Sequence, residues 1–261
     1  MDYTLVALFV LTLIFNYAIA TDVFEESQKT ISDKYKNALT PSSWLFAIWG
    51  FIYFFIGLYI FYYTFEVDKK MMKYSPKIKQ YLMAWLVLNI VWNFLFIADM
   101  ITLSLVTIII MTYISYMMYW MVKASKPPPA YRMKYYFLVQ LPFMLTFAWM
   151  TIAMVENMFL YGKKEKYFET TADEISYASL SVVYIIFVEL FYGVVFNDPI
   201  QPLVGAMALS AIYNEQINRS DDLGDGKDIW TKTAAAMFSF LVTIYVFVSV
   251  YMYVWGNFKI W

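Results

Sequence analysis

Apolar runs long enough to cross a bilayer recur along this chain between polar stretches, and they leave it few ways to fold. In hydrocarbon no water pairs with backbone N–H and C=O groups, so such runs must close their hydrogen bonds internally and read as helices. Tyr3 to Ala20 is the first run, Trp44 to Phe65 the second, Tyr81 to Ala98 the third and Ile101 to Val122 the fourth. Tyr135 to Val155 makes a fifth, Ile175 to Phe196 a sixth and Thr233 to Trp255 the last. Between these last two, Leu203 to Tyr213 falls short of the roughly 20 residues a straight crossing needs, and is expected to be short or partly re-entrant. The expected fold is all-α, a polytopic membrane helix bundle of roughly eight spans. Composition agrees: 62% hydrophobic, 21% aromatic and only 15% charged residues, with a mean hydropathy of +0.56, describe a chain whose main solvent is lipid. The first run ends in Ala18-Ile19-Ala20, as a signal-peptidase site would, but carries Asp2 and no positive charge before it, and reads as a retained span.

Much chemistry is excluded by what is missing. A net charge of −1 with scattered lysines offers no basic stripe for a nucleic-acid backbone. With no cysteine and no histidine there is no disulfide, thiolate nucleophile, Fe–S cluster, ordinary zinc site or His-ligated haem. No nucleophile–base pair, metal cluster or phosphate loop is visible, so an enzyme is not expected.

The polar stretches have distinct characters. Thr21 to Leu39 is mixed in charge, too long for a tight turn and too polar for lipid, and is expected to lie over one end of the bundle as a lid. Glu66 to Lys79 is lysine-rich and holds the helix-stopping pair Ser75-Pro76. Asp99 marks a tight turn, and Pro127-Pro128-Pro129 sits among Lys123, Lys126, Arg132 and Lys134 as an interfacial loop would. Asn157 to Glu174 and the aspartate-rich Ser220 to Asp228 read as loops, and Asn197-Asp198-Pro199 with Pro202 reads as a turn. With an even number of crossings both termini share a face with the 66–79 and 123–134 loops. Lysine and arginine nearly balance across the membrane, and the termini are placed on the cytoplasmic or matrix-like side.

Several residues stand out within the spans. Thr40 is suited to cap a helix and Pro41 to occupy its first position. Phe46, Trp49 and Tyr53 then follow at steps of three and four, on one face, beside Gly50, which leaves room for a neighbouring backbone. That face is either ordinary packing or the wall of a pocket. Gly50 and Gly57 together suggest a helix-packing seam. Asn89 shares a face with Trp92 and Phe96, and its amide must bond either another helix or a ligand. Glu189 is the acid well inside a strong span, either a functional site or a neutral acid bonded to a tyrosine or another subunit. No lysine lies deep in a span, which excludes a retinal Schiff base.

The run from Pro41 through Trp44, Phe46 and Trp49 to Tyr53 resembles the second-helix signature of the TspO family, the tryptophan-rich sensory proteins. Leu88-Asn89-Ile90-Val91-Trp92-Asn93-Phe94-Leu95-Phe96 is similar to that family's third-helix motif. Leu141-Pro142-Phe143, followed by Trp149, Thr151, Ala153 and Asn157, resembles longer members with additional spans. The resemblance implies a TspO-like five-helix domain over residues 1–160, additional transmembrane helices over 161–261, and a ligand cavity under the first loop. It places Phe46, Trp49, Tyr53, Asn89, Trp92, Phe143 and Trp149 around a flat hydrophobic ligand, a tetrapyrrole or sterol-like molecule, carried, sensed or stored. Iron would lack its usual axial ligands here, which favours a metal-free porphyrin or a sterol-like lipid. The alternative is a structural accessory subunit of a larger membrane complex, of mitochondrial type, that has kept the fold and lost the ligand.

Overall fold

The structure is a computed structural model and describes residues 3–21, 23–24, 26–218 and 243–244. The expected last span and the loop before it therefore lie outside the described residues, apart from 243–244. The helices are α1 (Thr4–Ala20), α2 (Gln28–Lys34), α3 (Ile48–Thr64), α4 (Lys69–Met72) and α5 (Lys79–Ile97). They continue as α6 (Ile101–Lys123), α7 (Arg132–Tyr135), α8 (Leu141–Lys164), α9 (Thr171–Val195) and α10 (Ile200–Asn218). Ser43–Thr64, Lys79–Ile97, Ile101–Lys123, Pro129–Lys164 and Thr171–Val195 are long and apolar enough to cross a membrane, and α1 is apolar over 17 residues. The chain is an all-α, multi-pass membrane protein. The short seventh run is the middle of α10, which is one continuous helix of 19 residues but is not among those long and apolar enough to cross.

By packing, the chain divides into two compact units, residues 1–34 with 47–150, and 35–46 with 151–261. In the first, α1, α3, α5, α6 and the early part of α8 run alternately up and down. Lys34 pairs with Asp99 at 2.6 Å at one end, and Lys134 with Asp68 at 2.8 Å at the other. The Lys134 ammonium and the Met71 amide hold the Asp68 carboxyl below the usual carboxylate range. Ile52, Ile56, Tyr59, Trp85, Tyr119, Val139 and Phe143 fill the interior, while Phe51, Phe54, Val87, Phe94 and Val106 stay exposed, as lipid-facing residues do.

The entry to α8 shows how proline is accommodated in a span. After the triple proline comes a 3-10 turn, Pro129–Tyr131, then α7, then a π turn over Tyr136–Gln140 immediately before Pro142. Proline has no N–H and its ring collides with the carbonyl four residues back; the wider π turn moves that carbonyl aside without ending the helix. Thr146 Oγ1 donates to the Pro142 carbonyl at 2.6 Å.

Three local expectations need correction. The second span lies where expected, but its helix does not open with Thr40 as cap and Pro41 at its first position: a 3-10 turn over Ser43–Ala47 precedes α3. Thr40 is turned back instead, accepting from the Asn37 amide at 2.9 Å, and the Ser42 amide is committed to the Ala211 carbonyl at 2.9 Å. The glycine seam is only half present, since a β-carbon at Gly57 would meet Phe9 of α1 at 3.1 Å, whereas one at Gly50 would meet nothing described within 4 Å. Finally, Asn157 to Lys164 is not loop but the last turns of α8, where Asn157 Nδ2 donates to the Ala153 carbonyl and Lys163 and Lys164 face the negative helix end.

In the second unit, residues 35–46 are tied to α9 and α10 by polar contacts. Glu174 accepts from the Ala38 amide at 2.8 Å and pairs with Lys163 at 2.6 Å, while Gln216 Nε2 donates to the carbonyls of Asn37 and Thr40. Thr170 and Asp173 form a reciprocal capping box at the start of α9. Helices α9 and α10 approach through Gly193 beside Pro202 and Gly205 beside Glu189.

Candidate functional site

The first unit contains an aromatic cluster roofed by amides. Trp49, the second residue of α3, is its centre. Tyr53, four residues on, stacks on it at 5.6 Å with the rings 19° apart. From α5, Trp85 and Trp92 approach it at 6.3 and 6.1 Å, and Trp149 of α8 meets it edge-on at 6.0 Å. Phe96 continues the cluster from Trp92 at 5.3 Å. Steps of three, four and seven put these residues on facing sides of α3 and α5, as the spacing in the sequence predicts.

Tyr53 links this cluster to a polar layer. Its hydroxyl lies 3.0 Å from both Asn16 Oδ1 and Asn89 Oδ1, to one of which it donates at a time. Asn16 Nδ2 donates to Asn89 Oδ1 at 2.9 Å, and Asn93 Nδ2 to the Asn89 carbonyl at 3.0 Å. Gln28 Nε2 of α2 donates to Asn93 Oδ1. Helix α2, with Ile31 buried, is thereby fastened to the C-terminal end of α5.

The layer is incomplete. Asn89 Nδ2, Trp85 Nε1 and Trp149 Nε1 are buried N–H groups with no hydrogen-bond partner among the described residues. Each unmatched buried donor costs about 1–3 kcal/mol. Their common neighbour is the Trp49/Tyr53 stack. A ligand that brings acceptor oxygens or nitrogens on an apolar frame would satisfy them. Trp49 and Tyr53 lie on each other, so a planar ligand would lie alongside this pair, not between its rings.

Of the residues singled out from sequence, Trp49, Tyr53, Asn89, Trp92 and Trp149 are thus brought together. Phe143 is fully buried elsewhere in the unit, edge-on to Tyr59 at 5.0 Å. Phe46 lies on the 3-10 turn, half-buried, and belongs with the second unit. Asn16, Gln28, Trp85 and Asn93 join them without being singled out by the sequence. Asn93 is one turn after Asn89, and Asn16 is the amide of an otherwise apolar run; those were the available signals.

Glu189 is in the second unit and is 2% exposed, so it faces protein. Thr151 Oγ1 donates to its Oε1 at 3.1 Å, while Oε2 has no partner among the described residues. Neither amide atom of the fully buried Gln201 has one either. Because α8 extends to Lys164, Glu189 is not alone as an acid inside a long helix: Glu156 Oε1 is also buried and unpartnered. Among the described residues no group of three or more Asp or Glu is placed to hold a metal ion.

Compared with known families, the chain matches, over residues 2–252, the model described as TSPO-like protein. No curated protein and no solved structure matches it.

Proposed function

This chain belongs to the TSPO-like protein family, and from that premise we propose that its aromatic and amide cluster binds a flat hydrophobic ligand. The ligand is a tetrapyrrole or sterol-like molecule, and the role is that of a carrier, sensor or store, not of a catalyst. The observation that carries this reading is the set of unmatched donors on Asn89, Trp85 and Trp149 around one indole–phenol stack. Ring contact and apolar burial would supply affinity, and the three N–H groups orientation. With no cysteine or histidine in the sequence, a metal-free porphyrin or a sterol-like lipid suits the site better than haem.

Titration of the purified protein with a metal-free porphyrin, followed by tryptophan quenching, tests it. Saturable quenching is expected in the wild type, with about tenfold or greater weakening in Asn89→Leu, which leaves every indole in place. Equal quenching in wild type, Asn89→Leu and a Trp49→Ala, Trp92→Ala double variant would mean partitioning into detergent or lipid. The direct stacking of Trp49 on Tyr53 favours a second reading, in which the cluster is closed core. The chain is then an accessory subunit of a larger, mitochondrial-type membrane complex, and proteins co-purifying from the native membrane would identify it.

A further inference from the structure

The second unit holds a carboxyl that the aromatic and amide cluster does not use. Glu189 stands less than two turns inside the C-terminal end of α9, within a helix long and apolar enough to cross a membrane, and is 2% exposed. Glycines shape the seam it occupies. A β-carbon at Gly205 of α10 would lie 2.6 Å from Glu189 Cγ and 3.4 Å from its Cδ, and one at Gly193 of α9 would lie 2.5 Å from the Pro202 ring. The two helices therefore interlock at both places, with the Glu189 side chain laid across the bare backbone of Gly205.

What this carboxyl can hold follows from its neighbours. Thr151 Oγ1 donates to Oε1 at 3.1 Å, and Oε2 is enclosed, with no hydrogen-bond partner among the described residues. Among those residues no lysine or arginine pairs with Glu189, and the charge that acts on it is of its own sign. That charge is Asp198, whose Oδ1 accepts from the Ile200 amide at the start of α10 at 2.9 Å. Glu156 of α8 faces elsewhere, because it follows Thr151 by five residues and so lies about 140° around that helix. Gln201, one turn before Gly205 on the same face of α10, is fully buried, and neither of its amide atoms has a partner among the described residues. An ionised Glu189 would thus be a charge without a counter-ion in hydrocarbon, which is the costly state. The enclosed Oε2 leaves no room for a water or a metal ion beside it, so the ligand that the closed seam takes is a proton.

We propose that Glu189 is a proton-binding site of the second unit, and that its proton keeps α9 seated on α10. With the proton bound, the neutral carboxyl accepts from Thr151 and lies against Gly205. With the proton given up to water, the bare carboxylate faces Asp198 and draws water into the seam, which parts the helices beside Gln201. The aromatic and amide cluster takes no part in this, so the two readings stand or fall separately.

The test uses the full chain in detergent. Dicyclohexylcarbodiimide, an apolar reagent that adds to protonated carboxyls, is expected to modify Glu189 at mildly acidic pH and to lose that modification as the pH is raised, with the site located by mass spectrometry. Because the sequence has no cysteine, Gln201→Cys then reports the state of the seam through its rate of labelling by a maleimide. The reference is a Glu189→Gln, Gln201→Cys variant, in which position 189 is neutral at every pH. At alkaline pH the thiol is expected to react about tenfold faster or more with Glu189 present than in the reference, and at mildly acidic pH within about twofold of it. Comparing the two at one pH removes the titration of the thiol itself. Absence of carbodiimide modification at Glu189 in the wild type would overturn the bound proton, whether or not the variants fold. Equal labelling of the two variants at alkaline pH would overturn the dependence of the seam on that proton and assign any remaining pH response to Asp198 or Glu156.

Discussion

Asn89 shows how a single amide in a membrane helix is used. Its carbonyl oxygen is shared by Asn16 and the Tyr53 hydroxyl, and its NH₂ is unmatched. The two readings open at the level of sequence, an interhelical bond or a ligand contact, therefore each describe one half of the same group. Replacing it with leucine removes the acceptor that joins α1, α3 and α5. Asn89→Leu is expected to lower unfolding stability by about 1–3 kcal/mol in the absence of ligand, measured by denaturant unfolding in detergent. No loss of stability would mean that the relief of the unmatched NH₂ offsets the lost bonds. The aromatic half of the site was legible in the sequence because Trp49, Tyr53, Asn89 and Trp92 sit at helical spacing on strongly apolar segments. Asn16 and Gln28 were not, because their roles depend on which helices become neighbours, and spacing along one helix carries no information on that.

Helix ends are where the elements depart most from their sequence reading, and the departures have a common physical basis. Asp99, Lys166 and Asn197 each stand two residues past the end of a helix with a positive φ of 57°, 57° and 51°. Behind them the Met100, Tyr167 and Asp198 amides return to the carbonyls of Leu95, Gly162 and Gly193 at 2.9, 2.9 and 3.2 Å. This is the Schellman arrangement, which satisfies the last carbonyls of α5, α8 and α9 with no glycine at the left-handed position. The usual glycine signal for a helix end is therefore absent, and the sequence pattern ends the fifth span at Val155, well before Lys164. The charge-rich segment beyond Val155 has the composition of a loop, although its backbone is helical as far as Lys164. Asparagine tolerates the left-handed region, but lysine carries a steric cost there that glycine avoids. Lys166→Gly is expected to stabilise the protein by about 0.5–1 kcal/mol, the removed strain exceeding the added freedom of the unfolded chain. A lower unfolding temperature for this variant would show that the Lys166 side chain itself contributes.

Across the whole membrane protein, loop charge bears on orientation, and the first unit carries that signal more sharply than the full sequence does. Counted along the entire chain, basic residues nearly balance between the two membrane faces. Within the first unit they do not: Lys69, Lys70, Lys73, Lys77 and Lys126 follow α3 and α6 on one face, against Lys29 and Lys34 beside α2 on the other. Charge near span ends governs topology, and short loops weigh most, so the α3–α5 and α6–α7 loops are expected on the cytoplasmic or matrix-like side. The Lys34–Asp99 and Lys134–Asp68 pairs each join loops of one face, which fixes the alternation of helices inside the unit. Because the sequence contains no cysteine, a single introduced thiol reports its side of the membrane without background. Lys29 and Lys77 are both exposed and suit the purpose. With a membrane-impermeant maleimide added outside sealed cells or organelles, Lys29→Cys is expected to react directly and Lys77→Cys only after permeabilisation. The reverse pattern would invert the orientation while leaving the fold intact. Reaction of both from the same side would instead contradict the antiparallel succession of α1, α3 and α5.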